Sequence, residues 1–498
     1  MILFINPSGR AGIYQSLGDS VAAIEPPAWC RLLSSYCEGK GIETAILDAD
    51  AEGHNAETAI QKAIDANPTL AVIVAHGHQP SASTQVMPAV NYFCQRFKAE
   101  REDIPVLIVG GHPAALPKRT LEETGADFVC TGEGPRTISA LHSHLINEST
   151  MIDDVPGLCY RLGRDRAVFT KPAENVWDLD AEMPGGQWDK LEMGKYRAHN
   201  WHALSNDGER QPYASIYTSL GCSFQCSFCN IQNPFRKGDA LKFGGKANSY
   251  RTWSAESAIR EIEVLVEKYN VRNLKIADEM YILKPSHVDA VCDAIIERGY
   301  GDKLNIWCYG RVDCTHERYL DKLRRAGVRW IALGIEAMSP DVRDGVAKAG
   351  YDEDDIWETC ERIRAAGINI MGNFICGLPS DTHQSIQKTL NLALAIRPEF
   401  INVYAMVTYP GTALWNKLPE EKRNYDWRTY GHHSYEYAPA GNDNLSPAGA
   451  VCWRDEFYRR YFTDSGYLAM IGKKFGPKAA EEIRTTGETK LRRKLLGD

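Results

Sequence analysis

The chain reads as an α/β protein: an N-terminal doubly wound, Rossmann-like domain, then a partial (β/α)6 barrel, then a small, mainly helical C-terminal cap. Three observations predict this. Short apolar runs alternate with helix-period segments over residues 1–145. The alternation lapses over 146–205 and resumes near residue 213. The 498 residues also exceed what one hydrophobic core holds, since cores stop growing at about 250–300 residues. The expected divisions are 1–145 for the first domain, 146–205 for an irregular connector, 206–418 for the barrel and 419–498 for the cap.

Ile2–Ile5 is a short apolar strand ended by Asn6-Pro7. Trp29, Leu32, Leu33, Tyr36 and Cys37 then fall on one helix face, closed by Gly39 and Gly41. Thr44–Leu47 is a second strand and Ala56–Ala66 a second helix. Leu70–Ala75 lacks polar alternation, as a strand buried on both faces does. Val106–Val109 and Asp127–Cys130 complete five strands, whose βα order implies a parallel sheet. After the connector, strands are expected at Ala214–Leu220, Leu274–Ala277, Asn305–Tyr309, Trp330–Gly334, Ile368–Ile375 and Ile401–Val407. Helices such as Ser254–Lys268 and His316–Ala326 lie between them.

Composition narrows the function. A net charge of −8 argues against a general nucleic-acid binder, which carries a basic face. No run approaches the ~20 apolar residues of a membrane span, and the N-terminus shows no signal pattern, so a cytoplasmic protein is expected. In a reducing compartment the 14 cysteines are not a disulfide framework. Most stand singly in apolar runs, as small buried hydrophobes do. Three do not: Cys222, Cys226 and Cys229 cluster in Gly221-Cys-Ser-Phe-Gln-Cys-Ser-Phe-Cys229, directly after the first barrel strand.

In parallel sheets, ligands bind at the carboxyl ends of the strands. In the first domain those ends carry His76-Gly77-His78-Gln79-Pro80-Ser81-Ala82-Ser83-Thr84, Gly110-Gly111-His112-Pro113 and Thr131-Gly132-Glu133-Gly134. Three such loops on one edge favour a ligand site, because glycine lets backbone approach closely. In the barrel, three thiolates four and three residues apart can wrap one metal centre. Structural zinc wants four ligands and ferredoxin runs carry a fourth cysteine, and neither is completed here. Three ligands on a [4Fe–4S] cluster leave one iron open.

This Cys-x3-Cys-x2-Cys motif, with Phe228 before the last cysteine, resembles the radical S-adenosylmethionine superfamily. The resemblance implies a [4Fe–4S] cluster on Cys222, Cys226 and Cys229, with S-adenosylmethionine on the open iron. Cleavage of the cofactor would give a 5′-deoxyadenosyl radical that abstracts hydrogen from substrate. Later strand ends are similar to the family's cofactor-binding positions: Asp278 and Glu279 for the ammonium, Arg311 for the carboxylate, then Glu336 and Asn373. Tyr309 and Tyr404, on barrel strands, are weak candidates for a catalytic part in the radical step.

A doubly wound domain before such a barrel resembles the cobalamin-dependent members of that superfamily, over ~420 residues that include Pro26-Pro27-Ala28-Trp29. The resemblance implies cobalamin held by Asn6, Ser81, Ser83, Thr84, Gly110, Gly111, His112, Gly132, Glu133 and Gly134. The Asp-x-His-x-x-Gly string of classical cobalamin domains is absent, so the sequence assigns no lower axial ligand to cobalt. The implied activity is methylation of an unactivated carbon of a small molecule, with electrons from an external donor of flavodoxin or ferredoxin type. A non-methylating enzyme of the same layout, an oxidative cyclase or a rearranging or ring-contracting enzyme, is the alternative. A methylthiotransferase would need a second cluster, and Cys30, Cys37 and Cys94 make no convincing set. A non-enzymatic sensor would have no use for Glu279, Arg311 and Glu336.

Overall fold

The structure is a computed structural model. It describes all residues except 8, 54, 78–79, 148–150, 164–165, 237–248 and 349, and not the side chains at 19–20 and 80–82. His78 and the Ser81 side chain therefore lie outside the described residues.

Apolar runs become parallel strands, of which β3 and β4 are buried throughout: β1 (Ile2–Asn6), β2 (Thr44–Asp48), β3 (Leu70–Ala75), β4 (Val106–Gly110) and β5 (Phe128–Cys130). The connector holds more structure than its composition suggests. It supplies β6 (Leu158–Leu162) and β7 (Arg166–Phe169), an antiparallel pair that extends the sheet to the order β2-β1-β3-β4-β5-β6-β7. The first five strands thus run 2-1-3-4-5, which puts the topological switch point between β1 and β3.

The helix Ala28–Gly39 buries the expected Trp29, Leu32, Leu33, Tyr36 and Cys37, and also Arg31, Ser34 and Ser35. It is covered on a second side because the barrel packs there. Arg31 reaches Glu261 at 2.7 Å and the Ser215 carbonyl at 3.1 Å, with its guanidinium 3.4 Å from the Trp188 ring centre.

The barrel sheet is six parallel strands in the order β15-β14-β13-β12-β11-β8. They are β8 (Tyr213–Ile216), β11 (Asn273–Ile276), β12 (Asn305–Arg311), β13 (Val328–Glu336), β14 (Asn369–Cys376) and β15 (Phe400–Ala405). The long strand expected over 214–220 breaks after Ile216. Asp278 accepts from Thr218 N, Thr218 Oγ1 and Ser219 Oγ at 2.6–2.7 Å and draws the chain off the sheet. Ser219–Leu220, as β9, pairs instead with β10 (Arg251–Thr252), antiparallel. The helix Ala255–Tyr269 starts on Ser254, whose side chain caps Ser257 N.

The cap is helical: Pro447–Phe462, Ser465–Phe475 and Pro477–Glu488. The first of these packs along β15 and closes the open side of the half-barrel. Among the described residues no helix is long and apolar enough to cross a membrane.

Candidate functional site

The cysteine loop leaves β9 through Gly221, whose φ is +80°. A Cβ there would lie 2.6 Å from the Ser249 carbonyl oxygen, so only glycine makes this turn. Cys222 is buried, and Cys226 and Cys229 are half-buried. Cys229 N donates to the Cys226 carbonyl at 3.0 Å, and Ser227 ties the loop to Val346 and Leu414 at 3.0 Å each. Arg311 Nη1 stands 3.7 Å from Cys226 Sγ. Burial pushes the Cys222 thiol up to about 11 and raises that of Cys229 as well. These thiols ionise only against a cation, and a bound metal deprotonates its thiols outright. Among the described residues no three His, Cys, Asp or Glu side chains converge as on a single metal ion. Thiolates on three separate irons of a cluster need not converge on one point, whereas a mononuclear zinc site requires it.

Around this loop the carboxyl ends of the strands enclose a cavity of about 390 Å³. Phe228, Glu279, Arg311, Glu336, Asn373, Tyr309 and Tyr404 all line it, as their sequence positions suggest. Asp278 does not. It is fully buried in the Thr218–Ser219 network, with His287 Nε2 2.9 Å from Thr218 Oγ1. Its acidic neighbour takes the open position: Glu279 Oε2 accepts from Gly221 N at 2.9 Å, while the buried Oε1 has no hydrogen-bond partner among the described residues. Burial pushes the Glu279 carboxyl up to about 8. An orphaned carboxylate oxygen beside the cysteine loop fits an ammonium ligand.

The guanidinium fork expected to be free on Arg311 is engaged. Nε and Nη2 bind both oxygens of Asp313 at 2.8 and 2.9 Å, and the Phe224 ring centre lies 3.8 Å away. Only Nη1 remains for a ligand. Glu336 sits at a β-bulge between β13 and β14 with φ +63°, a strained conformation for a non-glycine residue that re-aims its side chain. It pairs with Lys348, whose charge burial opposes but the Glu336 carboxylate restores, so its pKa stays above the usual lysine value. Asn373 Oδ1 accepts from Asn402 at 3.3 Å. Burial lifts Tyr404 to about 12 and Tyr309 further, so both remain phenols.

A second cavity lies at the β1/β3 switch point, lined by Asn6, Trp29, His76, Gly77 and Tyr217 among others. At about 70 Å³ it takes an edge of a large planar ligand, not the whole of one. It shares Tyr14, Glu25 and Gln85 with the barrel cavity, so the two adjoin across the domain seam. The His76 ring stacks on Trp29 at 4.5 Å and 5°, and both ring nitrogens are buried without a partner.

Of the positions expected to hold a second ligand, Asn6 alone lines this cavity; the others that the structure describes are engaged elsewhere. Ser83 and Thr84 are fully buried: Ser83 Oγ receives His112 N at 3.0 Å, and Thr84 Oγ1 stands 3.1 Å from His112 Nδ1. His112 lies edge-on to Trp427 of the C-terminal region. Gly110, at φ +148°, lets the Ala75 carbonyl pass where a Cβ would meet it at 2.3 Å, and Gly134 packs on Val109. Gly111 is buried at the head of a short helix, and Gly132 faces the Pro234 carbonyl. Glu133 pairs with Arg251 at 2.8 and 3.2 Å and receives Val176 N at 2.9 Å, bolting the first domain to β10. The reason is topological. Glycines mark all three strand ends, but the 2-1-3-4-5 order selects the β1/β3 edge, and that order is not written in the sequence.

Sequence reasoning passed over Lys348, Trp201 and the cap residues Arg454, His432 and His433, all of which line the larger cavity. No motif marks them. Trp29 was in view within Pro26-Pro27-Ala28-Trp29, but not as a site residue.

Residues 216–393 match the model of the radical SAM superfamily, and residues 14–142 that of the B12 binding domain. An uncharacterized methyltransferase of Pyrococcus horikoshii is 25% identical over 353 residues, 70% of this chain and 71% of that protein. The anaerobic magnesium-protoporphyrin IX monomethyl ester cyclase of Rubrivivax gelatinosus is 24% identical over 483 residues, 94% of this chain and 78% of that protein. The radical S-adenosylmethionine methyltransferase TsrM of Kitasatospora setae, solved with cobalamin and a [4Fe-4S] cluster, shares the fold. Its TM-score is 0.65 at 17% identity, over 93% of this chain and 82% of that one.

Proposed function

Because this chain belongs to the cobalamin-dependent radical S-adenosylmethionine enzymes, a B12 binding domain ahead of a radical SAM domain, we propose that it methylates an unactivated carbon of a small-molecule intermediate. One observation carries the reading. The cavity at the β1/β3 edge and the cavity at the barrel mouth adjoin through Tyr14, Glu25 and Gln85, so groups held in each meet over one substrate. When bound, the iron–sulfur cluster with S-adenosylmethionine supplies hydrogen abstraction, and cobalamin supplies the methyl group.

The chain's own residues do the rest. Cys222, Cys226 and Cys229 would hold the cluster. Glu279 Oε1 would take the cofactor's ammonium, with Arg311 Nη1, Glu336 and Asn373 along the neighbouring strand ends. Asn6, Trp29 and His76 would meet the corrin at the switch point. The cap shuts the lateral opening of the half-barrel against water.

The alternative is a non-methylating oxidative cyclase. It is supported by the Rubrivivax gelatinosus relative, which aligns over 94% of this chain. Anaerobic reconstitution with iron, sulfide, cobalamin and methyl-labelled S-adenosylmethionine separates the two. Formation of S-adenosylhomocysteine along with 5′-deoxyadenosine, and label in the product, supports methylation. The nucleoside alone, with no labelled product, supports the cyclase.

A further inference from the structure

Charge around the larger cavity does not balance. Glu25 is paired with Lys275 at 2.8 Å, Glu336 with Lys348, and Arg311 with Asp313. Two lining groups remain. One is Glu279, read above as the seat of the cofactor's ammonium. The other is Arg454, on the cap helix that closes the barrel. Its Nε donates to the Val403 carbonyl at 3.1 Å and its Nη1 to Asp455 Oδ1 at 2.8 Å. Asp455 is not its own counter-ion, because Arg493, wholly buried, takes both Asp455 oxygens at 3.0 and 3.2 Å. One carboxylate thus serves two guanidiniums and leaves one positive charge over. Arg454 is 5% exposed, and its Nη2 has no acceptor among the described residues. A buried cation without a matching anion is costly unless a ligand completes it.

Among the described residues the acidic groups lining the cavity are Glu25, Glu279 and Glu336, already placed. The Tyr437 hydroxyl donates to the Ala405 carbonyl at 2.5 Å and so accepts from His432 Nδ1, 2.9 Å away. His432 Nε2 is then the acceptor for Tyr409, at 3.1 Å. The imidazole is locked in one neutral tautomer. His433 stacks on Tyr14, and Tyr458 is a phenol beneath the Arg454 guanidinium. One stretch of the wall is aromatic: Trp201 lies 5.3 Å from Trp307 and 5.9 Å from Phe400, and Trp307 lies 5.0 Å from Tyr309.

We infer that Arg454 is the substrate anchor, and that the substrate is a small, largely apolar and aromatic molecule carrying a carboxylate that docks on Arg454 Nη2. The inference rests on the methyltransferase reading for the word substrate, but not for the site. Glu279 and Arg454 then divide the cavity, one end for the cofactor's ammonium and the other for the substrate's anion.

Three probes that share an indole and differ in the charge of a short side chain test it: indole-3-propionate, 3-(indol-3-yl)propanol and tryptamine. They are titrated calorimetrically into the full-length, anaerobically reconstituted protein saturated with S-adenosylhomocysteine. The carboxylate is expected to bind about tenfold tighter than the alcohol or the amine, as a charge-assisted pair to a buried guanidinium would. Arg454→Gln brings the three to within about twofold, and Arg454→Lys retains part of the preference. Equal binding of the three probes, no binding of the carboxylate, or a full preference surviving in folded Arg454→Gln overturns the anchor. If Arg454→Gln does not fold, the wild-type comparison decides. The titration needs no turnover. A protein that prefers the carboxylate but never transfers methyl keeps the anchor and loses the proposed function, and the converse outcome is equally distinct.

Discussion

Removing the Glu133 carboxylate tests how the two domains are held. Glu133 and Arg251 have side-chain exposures of 3% and 2%, in contact at 2.8 and 3.2 Å. Glu133→Ala leaves a buried guanidinium with only the Val176 and Ser249 carbonyls for partners, and it strands Val176 N–H. Breaking a buried pair from one side costs about 3–5 kcal/mol, and an orphaned buried N–H adds about 1–3 kcal/mol. Exposed pairs such as Lys118–Glu122 offer the contrast, at about 0–1 kcal/mol. The assay is a double-mutant cycle by urea denaturation, with Glu133→Ala, Arg251→Met and the combination. Glu133→Ala should be the worst of the three, and the double variant should recover a large part of the loss, because it buries no lone charge. Iron content after reconstitution should fall in the same order, since Arg251 lies on β10, the partner of the strand that leads into the cysteine loop. A cost below about 1 kcal/mol, or strict additivity in the cycle, would refute the claim that this pair bolts the seam.

Glu279→Gln should weaken S-adenosylmethionine binding about tenfold or more in equilibrium dialysis, by removing the ammonium's partner. Asp278→Asn should leave affinity within about twofold and lower the unfolding midpoint instead, because Asp278 holds Thr218 and Ser219. Reversed results would exchange their roles. Gly221→Ala should reduce bound iron, whereas Gly39→Ala, with nothing within 4 Å of the new methyl, should not. Burial holds His76, His112, His202 and His432 down at about 3. Below about pH 6.5 the unfolded chain binds these protons and the folded one does not. Stability is therefore intact above that pH and falls as pH drops toward 3, by up to about 1.4 kcal/mol per unit for each histidine. Melts recorded from pH 7 to 5 check this, and a flat profile would contradict it.

What was legible in the sequence is what local pattern encodes. Unbroken apolar runs became parallel strands, in a doubly wound sheet and a half-barrel sheet, and the cysteine loop opens on the barrel-mouth cavity. What was not legible depends on pairings across long separations. Asp278 and Glu279 are neighbours of like chemistry, and only the capture of Asp278 by Thr218, sixty positions earlier in the chain, decides which one faces the cavity. A Cβ at Gly110 or Gly134 would strike the Ala75 carbonyl or Val109, so close packing by itself calls for glycine at these two positions. The β6–β7 hairpin was hidden because its exposed Leu162 and Phe169 carry no clean alternation. Arg454 reveals itself only once Asp455 is seen to be shared with Arg493.

The seam between the domains is apolar over much of its area, where Trp29 and Leu33 share one core with Tyr217, Phe235 and Trp253, and buried ion pairs set its register. Among the described residues, the ion pairs Arg31–Glu261, Glu25–Lys275 and Glu133–Arg251 cross it with little exposure. Such pairs contribute little net stability against apolar residues of equal volume, because desolvation offsets their attraction. Their separation costs several kcal/mol, however, so any shifted docking of one domain on the other is strongly disfavoured. A sliding, greasy interface would tolerate shifts of an ångström or more, and chemistry divided between two sheet edges would not. The Glu25–Lys275 pair sits in the wall of the larger cavity, and Glu25 also lines the smaller one. Glu25, one of the residues that set the register of the domains, would therefore also face a substrate held there. Exchanging the pair for apolar residues should preserve folding while relaxing the alignment on which the shared cavity depends.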